Sequence, residues 1–262
     1  MRVACVVEYD GAGFHGWQLQ AAGTRTIQGT LEAALARVAD EPVATICAGR
    51  TDSGVHACGQ VVHFDTTARR AEKAWVMGAN THLSADVTVR RAVNVPDSFS
   101  ARYDARARTY RYLIHEGWDR PALSRARVAW THCVLDVEAM RAGAQYLIGE
   151  HDFSAFRAAG CQARHPVREL QAIEVQREPG CVRIDVRANA FLHNMVRIIV
   201  GTLMAVGRGE YPPAWVEQVL RGRDRTVGAS TAPAQGLYFL GPSYAPELGI
   251  PTPIEPRVPP IG

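Results

Sequence analysis

The amino-acid sequence predicts an α+β protein built from two similar halves, each with β-strands and flanking helices. Three observations lead to this prediction. Short segments with the two-residue alternation of strands recur along the chain, segments of helical periodicity lie between them, and the order restarts after the turn at residues 95–100. The identity between the two halves is too low to prove a duplication from the residues alone.

The first half begins with a strand at Val3–Tyr9 and continues through a long loop into a helix. Five apolar residues recur there at helical spacing and share one face: Ile27, Leu31, Ala34, Leu35 and Val38. Strands at Val43–Ala48 and Gln60–Phe64 follow, with the stretch GRTDSGVHA between them. A helix over residues 72–83 and a strand over residues 86–95 complete this half, and Pro96 ends the strand because it lacks a backbone N–H.

The second half repeats the alternation of strands and helices. A strand at residues 107–116 precedes a helix at Val137–Leu147, which Asp136 caps. Two strands, residues 167–177 and 181–189, flank the turn EPG and form a hairpin. A long apolar helix follows at His193–Val206, and Pro212 and Pro213 open a shorter one.

These elements predict an N-terminal domain at residues 1–104 and a C-terminal domain at residues 105–244. The tail at residues 245–262 is rich in proline and has no apolar periodicity. Such a composition buries too little apolar surface to fold, so we expect the tail to be extended or disordered.

The charge distribution suggests a nucleic-acid partner more than the net charge does. The formal charge is only +3, but all basic residues except Lys73 are arginines, and they concentrate between Arg90 and Arg127. Arginine binds phosphate in a bidentate manner and stacks on bases. A solvated, arginine-rich strand face is the alternative.

Other sequence features point to a reduced, soluble protein without a metal. The six cysteines are scattered singly, and the histidines form no H-E-x-x-H pattern, so we expect neither disulfides nor a metal site. No run approaches the roughly 18 apolar residues of a membrane span. The first residues alternate like a strand rather than forming a signal peptide, so we expect a cytoplasmic protein.

The stretch GRTDSGVHA, residues 49–57, holds the strongest chemical signal. Its one carboxylate, Asp52, lies between two glycines, and Arg50 precedes it by two positions. Aspartate beside glycine is a common turn residue, but the predicted loop is about ten residues long, and loops of that length often carry function. A nearby arginine favours the ionised carboxylate, which then acts as a base or a nucleophile.

A single carboxylate narrows the possible chemistry. A glycosidase of the usual kind needs a second acid, and a metal phosphoesterase needs more ligands than Asp52 and His56 provide. Two alternatives remain open from the residues alone. One is a nucleoside hydrolase with Asp52 as base and His56 as acid, and the other is an RNA-binding module without catalysis.

Seven blocks of sequence, in order from residue 8 to residue 240, resemble the tRNA pseudouridine synthase A family. The blocks are EYDGAGFHGWQLQ, TIQGTLEAAL, GRTDSGVHA, FSARYDARARTYRY, GEHDFSAF, NAFLHNMVRIIVGTLMAVG and GLYFL. Three neighbouring positions depart from the usual family text: Ser53, Ser100 and Ile198. The resemblance implies two similar subdomains like RNA-recognition motifs, a mixed, mainly antiparallel sheet, and an active-site cleft between the subdomains.

The resemblance also implies roles for individual residues. Asp52 is the essential carboxylate, and Tyr110 packs against the target uracil, although strand alternation alone also allows Tyr110 to be a core residue. Arg50 pairs with Asp52, and Arg197 approaches the site from the C-terminal half. No cofactor is implied. The implied substrate is the anticodon stem-loop of tRNAs at positions 38, 39 and 40, bound by a homodimer; a related synthase with another RNA target is the nearest alternative.

Overall fold

The computed structural model describes residues 1–21, 23–250 and 252. These residues form two compact units. The first unit holds residues 1–108 together with the returning segment from Tyr238 onward, and the second unit holds residues 109–237. We predicted from the sequence that residues 238–244 belong to the C-terminal domain. In the structure these residues belong to the first unit.

The described residues form five α-helices and ten strands. The helices are α1 (Ile27–Ala39), α2 (Glu72–His82), α3 (Val137–Gln145), α4 (Met195–Gly207) and α5 (Trp215–Gly222). The strands are β1 (Arg2–Tyr9), β2 (Ile46–Cys47), β3 (His56–Asp65), β4 (Val87–Val95), β5 (Ala107–Glu116), β6 (Ala129–Thr131), β7 (Gly149–Asp152), β8 (Val167–Glu178), β9 (Cys181–Ala188) and β10 (Leu237–Ser243).

In the first unit, β1 is a central strand that pairs antiparallel with β3 on one side and β4 on the other. The short β2 also pairs with β3, and β10 runs parallel to β3 from Tyr238 onward. Helices α1 and α2 pack against each other. Six of the eight β1 residues are buried, since β1 has a strand on each side.

Part of the proline-rich tail is folded, which corrects the expectation for its first residues. Residues 246–248 form a short 3-10 turn. Leu248 and Ile250 pack against a cluster of buried side chains that includes Val61 and Phe99. These two apolar side chains gain burial that the composition of the tail as a whole does not reveal. Residues 251 and 253–262 lie outside the described residues.

In the second unit, β9 and β8 form an antiparallel hairpin, and β7 pairs with the outer edge of β8. The short β6 runs parallel to β5. Helices α3, α4 and α5 pack together. Helix α4 is the apolar centre of this group, since all its residues except Arg197 are buried.

The predicted fold class is confirmed, because the structure is α+β with a mixed sheet. Several bounds differ from those predicted. Strand β3 begins at His56 rather than Gln60, since His56 to Gly59 are buried without an alternating pattern. The loop between β2 and β3 therefore covers residues 48–55. Strands β6, β7 and β10 were not predicted; β6 and β7 are very short, and β10 contains Gly241 and Pro242.

The close approach of α4 to the segment near Ser230 predicts a stability effect. A Cβ at position 201 would overlap the Ser230 carbonyl oxygen. We therefore expect Gly201→Ala to lower the free energy of unfolding by about 1–3 kcal/mol, despite the better helix propensity of alanine. Gly222→Ala in α5 is the matched control, since nothing lies within 4 Å of its Cβ. Urea denaturation measures both, and a Gly201→Ala protein as stable as wild type contradicts the packing.

Candidate functional site

Asp52 lies in a tight turn within the loop between β2 and β3. The N–H of Val55 donates to the carbonyl oxygen of Asp52 at 3.2 Å, and Gly54 has the positive φ of 79° that closes such a turn. Asp52 is half-buried, while the neighbouring Ser53 is exposed. The turn therefore presents one carboxylate at an accessible position on a short, closed loop.

A second loop, residues 10–17, packs directly on the backbone of this turn. Gly16 has φ of 86°, and a Cβ there would lie 2.9 Å from the Thr51 carbonyl oxygen and 3.1 Å from the Ser53 nitrogen. The N–H of Trp17 donates to the same Thr51 oxygen at 2.9 Å. The hydroxyl of Ser53 donates to the Phe14 carbonyl oxygen at 3.0 Å. Backbone contact on one side of Asp52 thus requires glycine at position 16.

The other side of the turn contacts Gly11 and His56. A Cβ on Gly11 would overlap the carbonyl oxygen of Val55. The N–H of Gly11 donates to Nδ1 of His56 at 3.1 Å, and the His56 ring stacks on Tyr238 with 4.8 Å between centroids. His56 is only 3% exposed. The side chain therefore serves as a hydrogen-bond acceptor inside the fold.

Nδ1 of His56 has a second polar neighbour beside the Gly11 N–H. An Asp10 carboxylate oxygen lies 3.1 Å from Nδ1. The Asp10 oxygen also accepts from the Ala12 N–H at 3.0 Å, which satisfies it independently.

Two buried polar side chains, Tyr9 and Gln60, form hydrogen bonds with residues that precede Asp52 in its loop. The hydroxyl groups of Tyr9 and Thr51 are 2.7 Å apart. Gln60 Nε2 donates to the Gly49 carbonyl oxygen at 2.5 Å, and the Gln60 side chain is fully buried. These bonds fix the residues on the N-terminal side of Asp52, so the loop is anchored before, at and after the carboxylate.

Arg50 and Arg102 bring positive charge to this part of the first unit. Arg50 is exposed. Burial raises the pKa of the Cys47 thiol to about 12, and the charges of Arg50 and Arg102 both oppose that shift. Both guanidinium groups therefore lie close enough to act on Cys47, at the end of β2. The pairing of Arg50 with Asp52 stays a prediction.

The Arg108 side chain forms hydrogen bonds with the backbone of residues 102–105, which precede β5. Its guanidinium donates to the carbonyl oxygens of Ala48 at 3.2 Å, Ala105 at 3.0 Å and Arg102 at 2.6 Å. One side chain thus joins the residue that opens the Asp52 loop to the turn at residues 100–105. Arg108 has a structural role in the arginine-rich segment, in contrast to the exposed Arg102 and Arg106.

Tyr110 lies in the second unit, on β5. Its ring is 8% exposed and meets the Phe191 ring at 85°, with 5.1 Å between centroids. Tyr112 is fully buried, burial raises the pKa of its hydroxyl, and that hydroxyl donates to the Pro233 carbonyl oxygen at 2.7 Å. Both tyrosines are thus held by packing, as strand alternation allows. Packing alone does not assign Tyr110 a contact with a substrate.

Arg197 is the one α4 residue that is not buried. Its Nε donates to the Ala232 carbonyl oxygen at 2.7 Å, and its Nη1 donates to the Asn194 side chain at 3.1 Å. Its charge also favours the ionised form of Tyr112, against the effect of burial on the Tyr112 pKa. The guanidinium is therefore held in a fixed orientation at the start of an apolar helix. Its approach to Asp52 stays a prediction.

Sequence reasoning missed several residues that build the Asp52 loop. Gly11, Gly16, Tyr9 and Gln60 were not singled out, although Tyr9, Gly11 and Gly16 fall in one of the quoted blocks. Their contacts join residues far apart in the chain, which leaves no local pattern.

Within the described residues, no cluster of three or more histidine, cysteine or acidic side chains is placed to bind a metal. None of the described helices has the length and apolar character of a membrane span.

Comparison with known proteins gives a match along nearly the whole chain. A model of the family described as tRNA pseudouridine synthase matches residues 5–104 and 144–245. The tRNA pseudouridine synthase A of Alcanivorax borkumensis is 52% identical over 94% of this chain and 92% of its own length. The enzymes of that name from Coxiella burnetii and Legionella pneumophila are 50% and 48% identical, over 95% of both chains in each case.

The contact of Gly16 with the Asp52 turn predicts a local effect of substitution. Gly16→Ala and Gly23→Ala both place a Cβ at positive φ, but only the Cβ at position 16 meets the turn. We expect Gly23→Ala to cost about 1 kcal/mol of stability and Gly16→Ala about 1–3 kcal/mol more. Hydrogen exchange should also become faster at Trp17 and Val55 in Gly16→Ala alone. Equal melting temperatures and equal exchange in the two variants contradict this packing.

Proposed function

The chain belongs to the tRNA pseudouridine synthase family, and we propose that it isomerises uridine to pseudouridine at positions 38, 39 and 40 of the anticodon stem-loop of tRNAs. Pseudouridine synthases are isomerases, so this chain is an isomerase. In the proposal, Asp52 is the essential carboxylate and Tyr110 packs on the displaced uracil. The observation that supports it best is the single carboxylate on a turn fixed by backbone contacts, in a chain that matches the family over most of its length.

The reaction needs one ionised carboxylate near the ribose. The N1–C1′ bond breaks, the uracil turns, a C5–C1′ bond forms, and the C5 proton leaves while N1 gains a proton. Atoms and oxidation state are conserved, so no redox cofactor takes part. Asp52 either attacks C1′ or removes the C2′ proton to give a glycal, and both routes start from the carboxylate anion.

A fixed loop suits this chemistry because the carboxylate must meet a sugar that has been drawn out of an RNA stem. Extruding a base costs a few kcal/mol. Contacts of Thr51, Val55 and Gly16 already hold the turn that carries Asp52, so its backbone loses little further freedom when the sugar arrives.

Tyr110, Arg50 and Arg197 complete the proposed site. The detached uracil must stay in place while it turns, since its escape leaves an abasic site. A packed tyrosine ring such as Tyr110 offers a flat apolar surface for that purpose. Arg50 would pair with Asp52, and Arg197, oriented by Ala232 and Asn194, would supply a second positive charge to the site.

The arginine-rich segment divides into structural and exposed members. Arg108 braces the backbone of its own segment, and Arg111 forms a two-bond ion pair with Asp185 at 2.7 and 2.8 Å. Arg102 and Arg106 are exposed. We assign the contacts with RNA phosphates to these two, because a guanidinium in solvent exchanges water for phosphate without breaking an internal bond.

Three further parts complete the proposal. The substrate is recognised mainly by its shape, since three adjacent stem positions offer no single base pattern. Two copies of the chain form a homodimer that binds one tRNA. The enzyme acts in the cytoplasm.

Two alternative functions are less well supported. A nucleoside hydrolase would use His56 as its acid, but His56 is buried and its Nδ1 accepts the Gly11 N–H. A non-catalytic RNA-binding module does not require an aspartate at the tip of a loop anchored along its length. A synthase with another RNA target remains the nearest alternative, and substrate mapping distinguishes it.

Replacement of Asp52 tests the catalytic role. We expect the wild-type chain to release tritium from tRNA labelled at C5 of uridine, because the new glycosidic bond displaces the C5 proton. Asp52→Asn, which keeps the shape of the side chain, should reduce the rate by at least about a hundredfold. Asp97→Ala is the control, since Asp97 is an exposed carboxylate outside the loop.

The melting temperature of Asp52→Asn should stay near that of wild type, which separates loss of chemistry from loss of folding. Tritium release by Asp52→Asn at the wild-type rate contradicts the role of Asp52. Formation of free uracil by the wild-type chain supports the hydrolase instead.

The division of the arginines predicts a change in salt dependence. The double variant Arg102→Ala and Arg106→Ala should bind tRNA more weakly. Because two phosphate contacts are lost, the logarithm of its association constant should fall less steeply with the logarithm of salt concentration, by roughly 1.5–2 in slope. Arg37→Ala with Arg69→Ala removes the same charge from other exposed positions of the first unit and should leave the slope nearly unchanged. Equal slopes for the two double variants contradict the assignment.

A further inference from the structure

Tyr103 is an exposed aromatic side chain on a turn whose backbone is firmly held. The residue is 79% exposed, whereas the neighbouring Ala101 and Ala105 are buried. The guanidinium of Arg102 lies over the Tyr103 ring at 5.4 Å from its centroid. The high exposure leaves most of the ring in solvent, so the side chain contributes little to the core of the first unit.

The turn at residues 100–105 is anchored at both ends. His63 Nδ1 accepts from the Ala101 N–H at 3.0 Å, and the Tyr244 hydroxyl donates to the Ala101 carbonyl oxygen at 2.6 Å. The Asp104 carboxylate accepts from the Ser100 N–H at 2.8 Å. Arg108 holds the Arg102 and Ala105 carbonyl oxygens. Tyr103 is therefore presented in solvent by a backbone with little freedom.

The turn also lies beside the segment that carries Asp52. Arg108 joins the Arg102 carbonyl oxygen to the Ala48 carbonyl oxygen, and residue 48 opens the Asp52 loop. The charges of Arg102 and Arg50 both act on Cys47, which precedes that loop. An exposed ring, an arginine over it and a second exposed arginine are thus grouped near the proposed catalytic residue.

We propose that Tyr103, with Arg102 over its ring, is a stacking platform for an unpaired nucleotide of the RNA substrate next to the target uridine. This proposal rests on the proposed function. Aromatic rings stack on bases of any identity, and an adjacent arginine binds the phosphate of the same nucleotide. A platform with fixed backbone loses little conformational entropy when the base binds. Such a contact helps to hold the strand open while the target base is displaced.

The positive surroundings favour RNA over a protein partner. Arg50, Arg102 and Arg106 are all exposed in this region, and the carboxylate of Asp104 accepts the Ser100 N–H. Tyrosine and arginine are also enriched at interfaces between proteins, so these residue types alone do not select the partner. The net positive charge of three exposed arginines favours RNA, because a polyanionic phosphate backbone attracts such a group.

Two substitutions at position 103 in the full-length chain test the platform. Tyr103→Phe keeps the ring, and Tyr103→Leu keeps an apolar side chain without a ring. We expect Tyr103→Leu to raise the Kd for tRNA by roughly 5- to 150-fold, the range for loss of one stacked base, and Tyr103→Phe to leave it within about twofold of wild type. The salt slope should not change, because no charge is lost.

Kinetics and crosslinking give independent readouts. Tyr103→Leu should raise KM and leave kcat at saturating tRNA near the wild-type value, since the ring binds substrate without touching the reacting atoms. An anticodon stem-loop carrying 4-thiouridine beside the target should crosslink to the peptide that contains Tyr103. Wild-type affinity in Tyr103→Leu overturns the platform, as does weaker binding accompanied by a change in oligomeric mass, which indicates a protein interface.

The wild-type chain separates this proposal from the proposed function. Tritium release by the wild type together with wild-type affinity in Tyr103→Leu rejects the platform alone. No release by the wild type rejects the proposed function, whatever the affinity of the variants.

Discussion

Close backbone contact between two loops is the constraint on which the proposed active site depends. Gly11 and Gly16 leave no room for a Cβ where residues 10–17 meet the turn around Asp52. Tyr9 and Gln60 hold the same turn from the side of the sheet. Because these contacts involve backbone atoms or buried hydrogen bonds, the position of Asp52 follows from the packing of the first unit. A catalytic carboxylate gains from such fixed geometry, since misplacement by about 1 Å can cost a hundredfold in rate.

Each unit combines an apolar scaffold with a few polar side chains in set orientations. In the first unit, Arg108 donates hydrogen bonds to three backbone carbonyl oxygens, whereas Arg102 and Arg106 are exposed. In the second unit, Arg197 is the one residue of α4 that is not buried, and two hydrogen bonds orient it. This division explains how a chain with a net charge of only +3 can bind a polyanion. In the proposal the binding charges are local, at Arg102 and Arg106, whereas Arg108 and Arg111 form internal hydrogen bonds.

The sequence predicted elements with strong local signals and missed those that depend on distant contacts. Strand β1, helix α1 and the apolar α4 have clear periodicity, and their bounds agree closely with the structure. Strand β10 was missed because Gly241 and Pro242 interrupt it and its partner β3 lies far away in the chain. The chemistry at Asp52 was suggested by one loop and its resemblance to a family. The role of Gly16 and the exposure of Tyr103 come only from tertiary packing, which leaves no periodic trace in the sequence.

The most direct test of the central proposal is to map pseudouridine at nucleotide resolution in unmodified tRNA transcripts after incubation with the purified chain. Carbodiimide labelling followed by reverse transcription locates each modified base. We expect modification confined to positions 38, 39 and 40 of the anticodon stem-loop, formed without added metal or cofactor. Modification only at other positions, or abasic sites in place of pseudouridine, would contradict the proposed function.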